Sequence, residues 1–260
     1  GGLPGRRGRR GMSALHLEIA GQGPALLLLH GWAMHGGIFA PLLPALTERF
    51  TVLRVDLPGH GHSRDSALPL DLERLVDALA ECLAARGDTP SLVGGWSLGG
   101  LIASALAASP RFVAAPDWPA GMDPRVFEAF GEELERDYRG TLDRFLMLEA
   151  QGSAQLREEL RFLRDAVYAR GEPAPRALRE GLSLLHDGDL RSLLPGLAMP
   201  SLWLAGRRDR LVSPAAMQAA AALAPGSRFR LFERAGHAPF LTEPEAVARA
   251  LIEFSGACPS

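Results

Sequence analysis

The run Ala25-Leu26-Leu27-Leu28-Leu29, with Gly23-Pro24 before it and His30-Gly31 behind it, most constrains what this chain can fold into. A short unbroken apolar run between turn residues suits a strand buried on both faces, as in a parallel sheet covered by helices. Leu15 to Ile19, Thr51 to Val55 and Ser91 to Val93 read as further strands, with helices expected near Phe39 to Thr47 and over Leu70 to Arg86. After Pro200 the alternation resumes: strand Ser201 to Ala205, helix Pro214 to Leu223, strand Arg228 to Phe232, helix Glu243 to Phe254. Strands alternating with helices place the chain in the α/β class, with a mostly parallel sheet flanked by helices.

The stretch from Asp123 to about Leu194 breaks that rhythm. It carries charged amphipathic helices and no convincing strand, so a helical lid over about residues 120–195 is expected, inserted into one domain spanning residues 13–260. Gly1 to Gly11 holds Arg6, Arg7, Arg9 and Arg10 among glycines with no apolar segment of signal-peptide length after it. It reads as a disordered basic extension over residues 1–12, with Met12 as the natural start.

Composition excludes several classes of partner. With 28 basic and 30 acidic residues the net charge is −2, which gives no global attraction to nucleic acid or an anionic membrane. No apolar run approaches the roughly 18 residues a membrane helix needs. Cys82 and Cys258 form neither a disulfide framework nor a metal-ligand spacing. A soluble, cytoplasmic monomer is expected.

Gly95-Trp96-Ser97-Leu98-Gly99 matches G-x-S-x-G between the strand-like Ser91 to Val93 and the helix-like Leu101 to Ala108. In that context the small residues allow a sharp turn that holds a serine hydroxyl out of the fold. A serine hydroxyl is a weak nucleophile near neutral pH, so it needs a base, and the base needs a third group to fix its tautomer. In the order Ser, acid, His, the candidates are Ser97, Asp209 after Ser201 to Ala205, and His237 after Arg228 to Phe232; Asp187 and Asp189 are rival acids. The oxyanion formed on acyl attack needs two backbone N–H donors, for which Leu98 and Trp32 are the candidates.

His30, His35, His60 and His62 invite a metal, especially His60-Gly61-His62, but no Cys, Asp or Glu cluster completes a ligand set. Asp56 to Ser63 reads instead as a turn set by Gly and Pro. With no P-loop and no dinucleotide fingerprint, neither metal nor cofactor is expected.

These segments resemble the α/β-hydrolase superfamily, and most closely the pimeloyl-acyl carrier protein methyl ester esterases of biotin synthesis, the BioH family. The resemblance runs from about Ala14 to Phe254 and is most specific at Leu28-Leu29-His30-Gly31-Trp32, Gly95-Trp96-Ser97-Leu98-Gly99-Gly100, Asp117-Trp118-Pro119, Arg144-Phe145-Leu146-Met147-Leu148 and Ala238-Pro239-Phe240. It implies a carboxylesterase that removes a methyl ester from a pimeloyl chain on acyl carrier protein. Substrate would be bound by Trp32, Ser97, Leu98, the stretch Phe145, Leu146, Met147, Leu148 and Glu149, and His237. The acidic carrier would be met by Arg144, Arg157 and Arg161, while a further family arginine falls on Gly140, with Arg139 beside it. Arg157, Arg161 and Arg164 also share one helix face by spacing, although Glu158 and Glu159 could instead make that face a solvated, salt-bridged one.

One departure is expected to matter. Only nine residues separate Gly100 from Pro110, too few for a crossover helix and a further strand. Phe112 to Ala115 makes at most a stub, so the strand after the nucleophile helix is predicted to be missing. The first sheet would then keep an open edge, or the elbow strand would pair with the Asp209 strand. A general small-ester or carbon–carbon bond hydrolase, and an inactive paralogue damaged by that loss, are the alternative readings.

Overall fold

The computed structural model describes residues 15–87, 89–105, 116, 117, 119 and 122–258. The expected N-terminal extension and Phe112 to Ala115 lie outside the described residues. Six strands are described: β1 (Leu17–Ala20), β2 (Ala25–Leu29), β3 (Thr51–Val55), β4 (Leu92–Gly95), β5 (Ser201–Gly206) and β6 (Ser227–Phe232). The helices of the sheet region are α1 (Leu43–Leu46), α2 (Leu72–Ala84), α3 (Leu98–Ala105), α8 (Pro214–Leu223), α9 (Pro239–Thr242) and α10 (Pro244–Ala257); α4 (Pro124–Arg136), α5 (Tyr138–Ala150), α6 (Leu156–Ala169) and α7 (Pro175–Asp187) form the helical insertion.

The strand order is β1-β3-β2-β4 in one sheet and β5-β6 in another. All pairings are parallel except β1 against β3. Leu27 lies opposite Leu53 on one side and Val93 on the other, so β2 is central, and Leu26, Leu27 and Leu29 are fully buried. Among the described residues no strand stands between α3 and α4, and β4 does not pair with β5.

Two details differ from expectation. The helix near Phe39 begins as a 3-10 turn at Gly36 and continues as α only from Leu43. Pro41 and Pro44 each lack the N–H that a longer α-helix would use, and Pro is tolerated only in a first turn. Glu159, which the alternative reading of the α6 face would leave solvated, is instead 3% exposed.

The insertion is joined to the sheet by polar contacts as well as by apolar packing. Arg170, at the end of α6, donates to both oxygens of Asp56 at 3.1 Å and to Glu18 at 2.7 Å. Asp56 is fully buried and also accepts from Gly36 N–H at 2.7 Å and His62 N–H at 2.8 Å.

The expected Gly-rich turn after β3 sits over two buried histidines. The rings of His30 and His60 lie 5.2 Å apart, and both side chains are inaccessible. His30 Nε2 accepts from Leu57 N–H at 2.9 Å, which requires the ring to be neutral at that nitrogen. Burial above all pushes His30 down to about 3, with the neighbouring His60 adding to it, and burial pushes His60 down to about 4. In the unfolded chain both take up protons below about 6.5, whereas in the fold they resist until much lower pH. Their contribution is therefore complete above that value and lost as pH falls toward 4. Urea titrations at pH 7, 6 and 5 are expected to show the stability advantage of the wild type over His60→Gln shrinking as pH falls.

Candidate active site

Ser97 sits between β4 and α3 with φ 54°. A left-handed non-glycine residue is strained, and such residues collect at functional turns. Among the described residues the two non-glycine positions with left-handed φ are Ser97 and Ala33. They adjoin Leu98 and Trp32, the two expected oxyanion donors. Leu98 opens α3, where the first N–H groups of a helix have no carbonyl within it.

The glycines of the elbow permit this turn by the close approach of other backbone atoms. A Cβ on Gly95 would meet the carbonyl of Gly99, and one on Gly99 would meet the carbonyl of Leu29. Gly31 leaves room for Trp96 and Ser97, since a Cβ there would lie 2.9 Å from the Trp96 ring and 3.3 Å from Ser97 Cβ.

Trp96 ties the elbow to the loop after β6. Its indole N–H donates to the carbonyl of His237 at 2.9 Å, and its ring packs edge-on against Phe240 at 5.2 Å. His237 Nδ1 lies 2.9 Å from Asp209 Oδ2, with both side chains almost wholly buried. The other oxygen of Asp209 accepts from Leu211 and Val212 N–H at 2.8 and 2.9 Å, which fixes the carboxylate. Nδ1–H donating to that carboxylate leaves Nε2 as the acceptor. Nε2 is buried with no hydrogen-bond partner, Ser97 included, among the described residues. Such bonds often close only when substrate is bound.

Of the rival acids, Asp187 pairs with His186 and Ser183, and Asp189 with Arg191. Asp209 is the acid that meets His237. Three of the four histidines considered for a metal are hydrogen-bonded to the chain, His30 Nδ1 with Gly31 O, His35 Nε2 with Ala166 O and His60 Nδ1 with Pro58 O, while the His62 ring lies edge-on to His16 at 4.6 Å.

The helical insertion supplies one wall. Trp32 is fully buried, donates to the carbonyl of Leu178 on α7 at 2.7 Å and meets Phe145 edge-on at 4.6 Å. Gly181 on α7 makes this approach possible, because a Cβ there would lie 2.7 Å from Trp32 Cδ1. Phe145 in turn meets Phe130 on α4 at 5.8 Å. Beyond Phe130 an open groove of about 690 Å³ runs between α4 and α5, lined by Val126, Ala129, Met147, Leu148 and Leu156, with Arg125 and Arg144 at its rim. Leu146 and Glu149 are fully buried, whereas Met147 is 43% exposed.

Of the expected surface arginines, Arg144 donates to Glu133 at 2.7 Å and Arg164 makes a bidentate pair with Asp143 at 2.9 Å. Arg139 pairs with Glu172. Arg157 and Arg161 are exposed and make no ion pair among the described residues.

The sequence profile of the alpha/beta hydrolase family matches residues 26–250. The chain is 53% identical over 253 residues to a pimeloyl-[acyl-carrier protein] methyl ester esterase from Stenotrophomonas maltophilia, covering 92% of this chain and 96% of that one. It is 51% identical over 258 residues to a protein of the same name from Xanthomonas oryzae pv. oryzae, covering 94% and 100%. An esterase structure from Exiguobacterium antarcticum superposes with a TM-score of 0.84 at 23% identity, over 94% of this chain and 96% of that one. A thermophilic esterase from Thermogutta terrifontis gives 0.77 at 26%, over 92% of each. A buried Asp–His pair beside a strained elbow serine, together with these matches, leads to one assignment: the chain belongs to the alpha/beta hydrolase family and, within it, groups with the pimeloyl-[acyl-carrier protein] methyl ester esterases.

Proposed function

We propose that this protein is a serine carboxylesterase that hydrolyses the methyl ester of a pimeloyl chain carried on acyl carrier protein, a step of biotin synthesis. The observation that carries the chemistry is the buried Asp209–His237 pair with Nε2 open beside the elbow that bears Ser97. Ser97 Oγ attacks the ester carbonyl while His237 Nε2 takes its proton, and Asp209 holds the ring and stabilises the imidazolium. The N–H groups of Trp32 and Leu98 receive the charge on the carbonyl oxygen. Collapse expels methanol, protonated by His237, and leaves an acyl-Ser97 ester. Water, deprotonated by His237, attacks that ester and restores the hydroxyl as the free carboxylate leaves.

Trp32, Phe145, Leu146, Met147 and Leu148 form the substrate wall in this reading, and α4–α7 act as the lid over it. The carrier protein docks on Arg157 and Arg161, with Arg144 at the groove rim; unpaired arginines are free to meet an acidic surface. Two free cysteines suit a cytoplasmic home, and no helix of the described residues is long and apolar enough to cross a membrane.

The test is hydrolysis of the carrier-bound methyl ester against a free pimelate methyl ester. A preference for the carrier-bound form supports the assignment; equal rates favour a general small-ester hydrolase, and no turnover of either favours an inactive paralogue. Reversing Arg157 and Arg161 to Glu is expected to lower kcat/KM for the carrier-bound ester about tenfold or more at low salt. The deficit should shrink as ionic strength rises, since steering is screened over a Debye length of about 10 Å at 0.1 M. A deficit independent of salt would argue against docking at this face.

A further inference from the structure

Two carboxyl groups that take no part in the chemistry above lie behind the Asp209–His237 pair. Glu149 on α5 and Glu159 on α6 are 0% and 3% exposed. Glu159 Oε2 accepts from Thr242 Oγ1 at 3.0 Å, and Thr242 Oγ1 lies 3.3 Å from Ser153 Oγ. Glu159 Oε1 and both oxygens of Glu149 are buried with no hydrogen-bond partner among the described residues. A carboxylate without partners in such a place neutralises rather than bear the desolvation cost, and neighbouring carboxyl groups do not readily ionise together. The charged groups facing Glu149 are Glu159 and Asp209, and His237 faces Glu159. Burial above all pushes both carboxyls upward. Glu159 and Asp209 add to this at Glu149, while Ser153, Thr242 and His237 restrain it at Glu159.

The same cluster grips the segment that carries the base. Thr242 ends α9, which starts two residues after His237, and the N–H groups of Leu241 and Thr242 return to the carbonyl of Ala238 at 2.9 and 3.4 Å. On the other side of His237 the carbonyl of Arg234 accepts from Ala154 N–H at 3.0 Å. The corner between α5 and α6 thus holds the His237 segment at both ends.

We propose that Glu159 is a positioning residue for His237. Glu159, through Thr242, clamps the short helix that follows the base, and Glu149, fully buried with neither oxygen partnered among the described residues, is uncharged near Asp209. This rests on the Ser97 chemistry proposed above.

The test uses the full chain and p-nitrophenyl butyrate, with kcat and KM measured from pH 5 to 9 and thermal midpoints alongside, and Ser97→Ala as the control. Glu159→Gln retains a neutral acceptor for Thr242 and is expected to keep kcat within about threefold, whereas Glu159→Ala loses about tenfold in kcat with KM little changed. Should Glu159→Ala fail to fold, Thr242→Val, which deletes only the hydroxyl, is expected to lower kcat in the same way. The uncharged state has its own signature. A carboxyl whose folded pKa is raised keeps its proton above about pH 4.5, where the unfolded chain has released it, so the fold loses ground as pH rises. Glu149→Gln removes that loss and should raise the thermal midpoint more at pH 8 than at pH 5. Wild-type kcat in a folded Glu159→Ala or Thr242→Val, equal losses in Glu159→Gln and Glu159→Ala, or a Glu149→Gln effect independent of pH would overturn the proposal. If the wild type hydrolyses no better than Ser97→Ala, the esterase reading fails instead, and the Glu149→Gln midpoints still decide whether Glu149 is uncharged.

Discussion

Ser97→Ala is expected to reduce turnover of every ester substrate by about 10⁵- to 10⁶-fold, because removing a triad nucleophile abolishes the covalent route rather than weakening one contact. At about 1.4 kcal/mol per tenfold this is roughly 7–8 kcal/mol of transition-state stabilisation. The residual rate would come from the oxyanion donors and binding alone. The fold should be intact, since Ala meets the same backbone strain at φ 54° that Ser does. A fluorophosphonate probe measures the same thing without a substrate: stoichiometric labelling of the wild type and none of the variant. Turnover above about a hundredth of wild type in a clean preparation would remove Ser97 from the nucleophile's role and the acyl-enzyme route with it.

Asp56→Ala is expected to be the most damaging substitution away from the triad. Asp56 is fully buried and accepts from Gly36 N–H, His62 N–H and the Arg170 guanidinium, whose side chain is only 13% exposed. Deleting the carboxylate leaves two buried N–H groups unpaired and strands a mostly buried cation, with Glu18 as its remaining partner. Breaking a buried pair by removing one member costs about 3–5 kcal/mol. For a chain of this size that lowers the thermal midpoint by roughly 10 °C, at about 2–4 °C per kcal/mol. Arg207→Ala is the comparison, because it breaks an ion pair with Glu233 that lies open to solvent. Near-equal midpoints for the two variants would mean that the Asp56 cluster contributes little beyond a surface pair.

Because Arg170 closes α6 and Asp56 follows β3, this cluster also joins the helical insertion to the sheet. Loss of Asp56 should therefore impair catalysis at temperatures where the fold survives. The mechanism would be looser seating of α6 and of the Glu159 contact it carries.

Residues 25–29, 51–55 and 214–223 adopt the elements expected of them without adjustment. Their signals are local: an unbroken apolar run between turn residues, or a Pro placed in a helix's first turn after a capping Ser. The elbow was equally legible, because the demand for Gly at positions 95 and 99 and a helix after Ser97 acts over five residues. The family resemblance was legible for the same reason, since its motifs are contiguous. Pairings between distant segments were not. Its place just after a strand favours Asp209 over Asp187 and Asp189 in the sequence, but the pairing itself is made only where the parallel register of β5 with β6 brings the loops bearing Asp209 and His237 together. Arg164 looked available until α5 and α6 packed and gave it Asp143, and Glu159 looked solvated until the same packing turned it toward Thr242. A residue's type and its spacing to near neighbours are written in the chain, whereas the choice among several chemically equivalent partners is made by the packing of elements, here bringing together residues 21 to 83 positions apart.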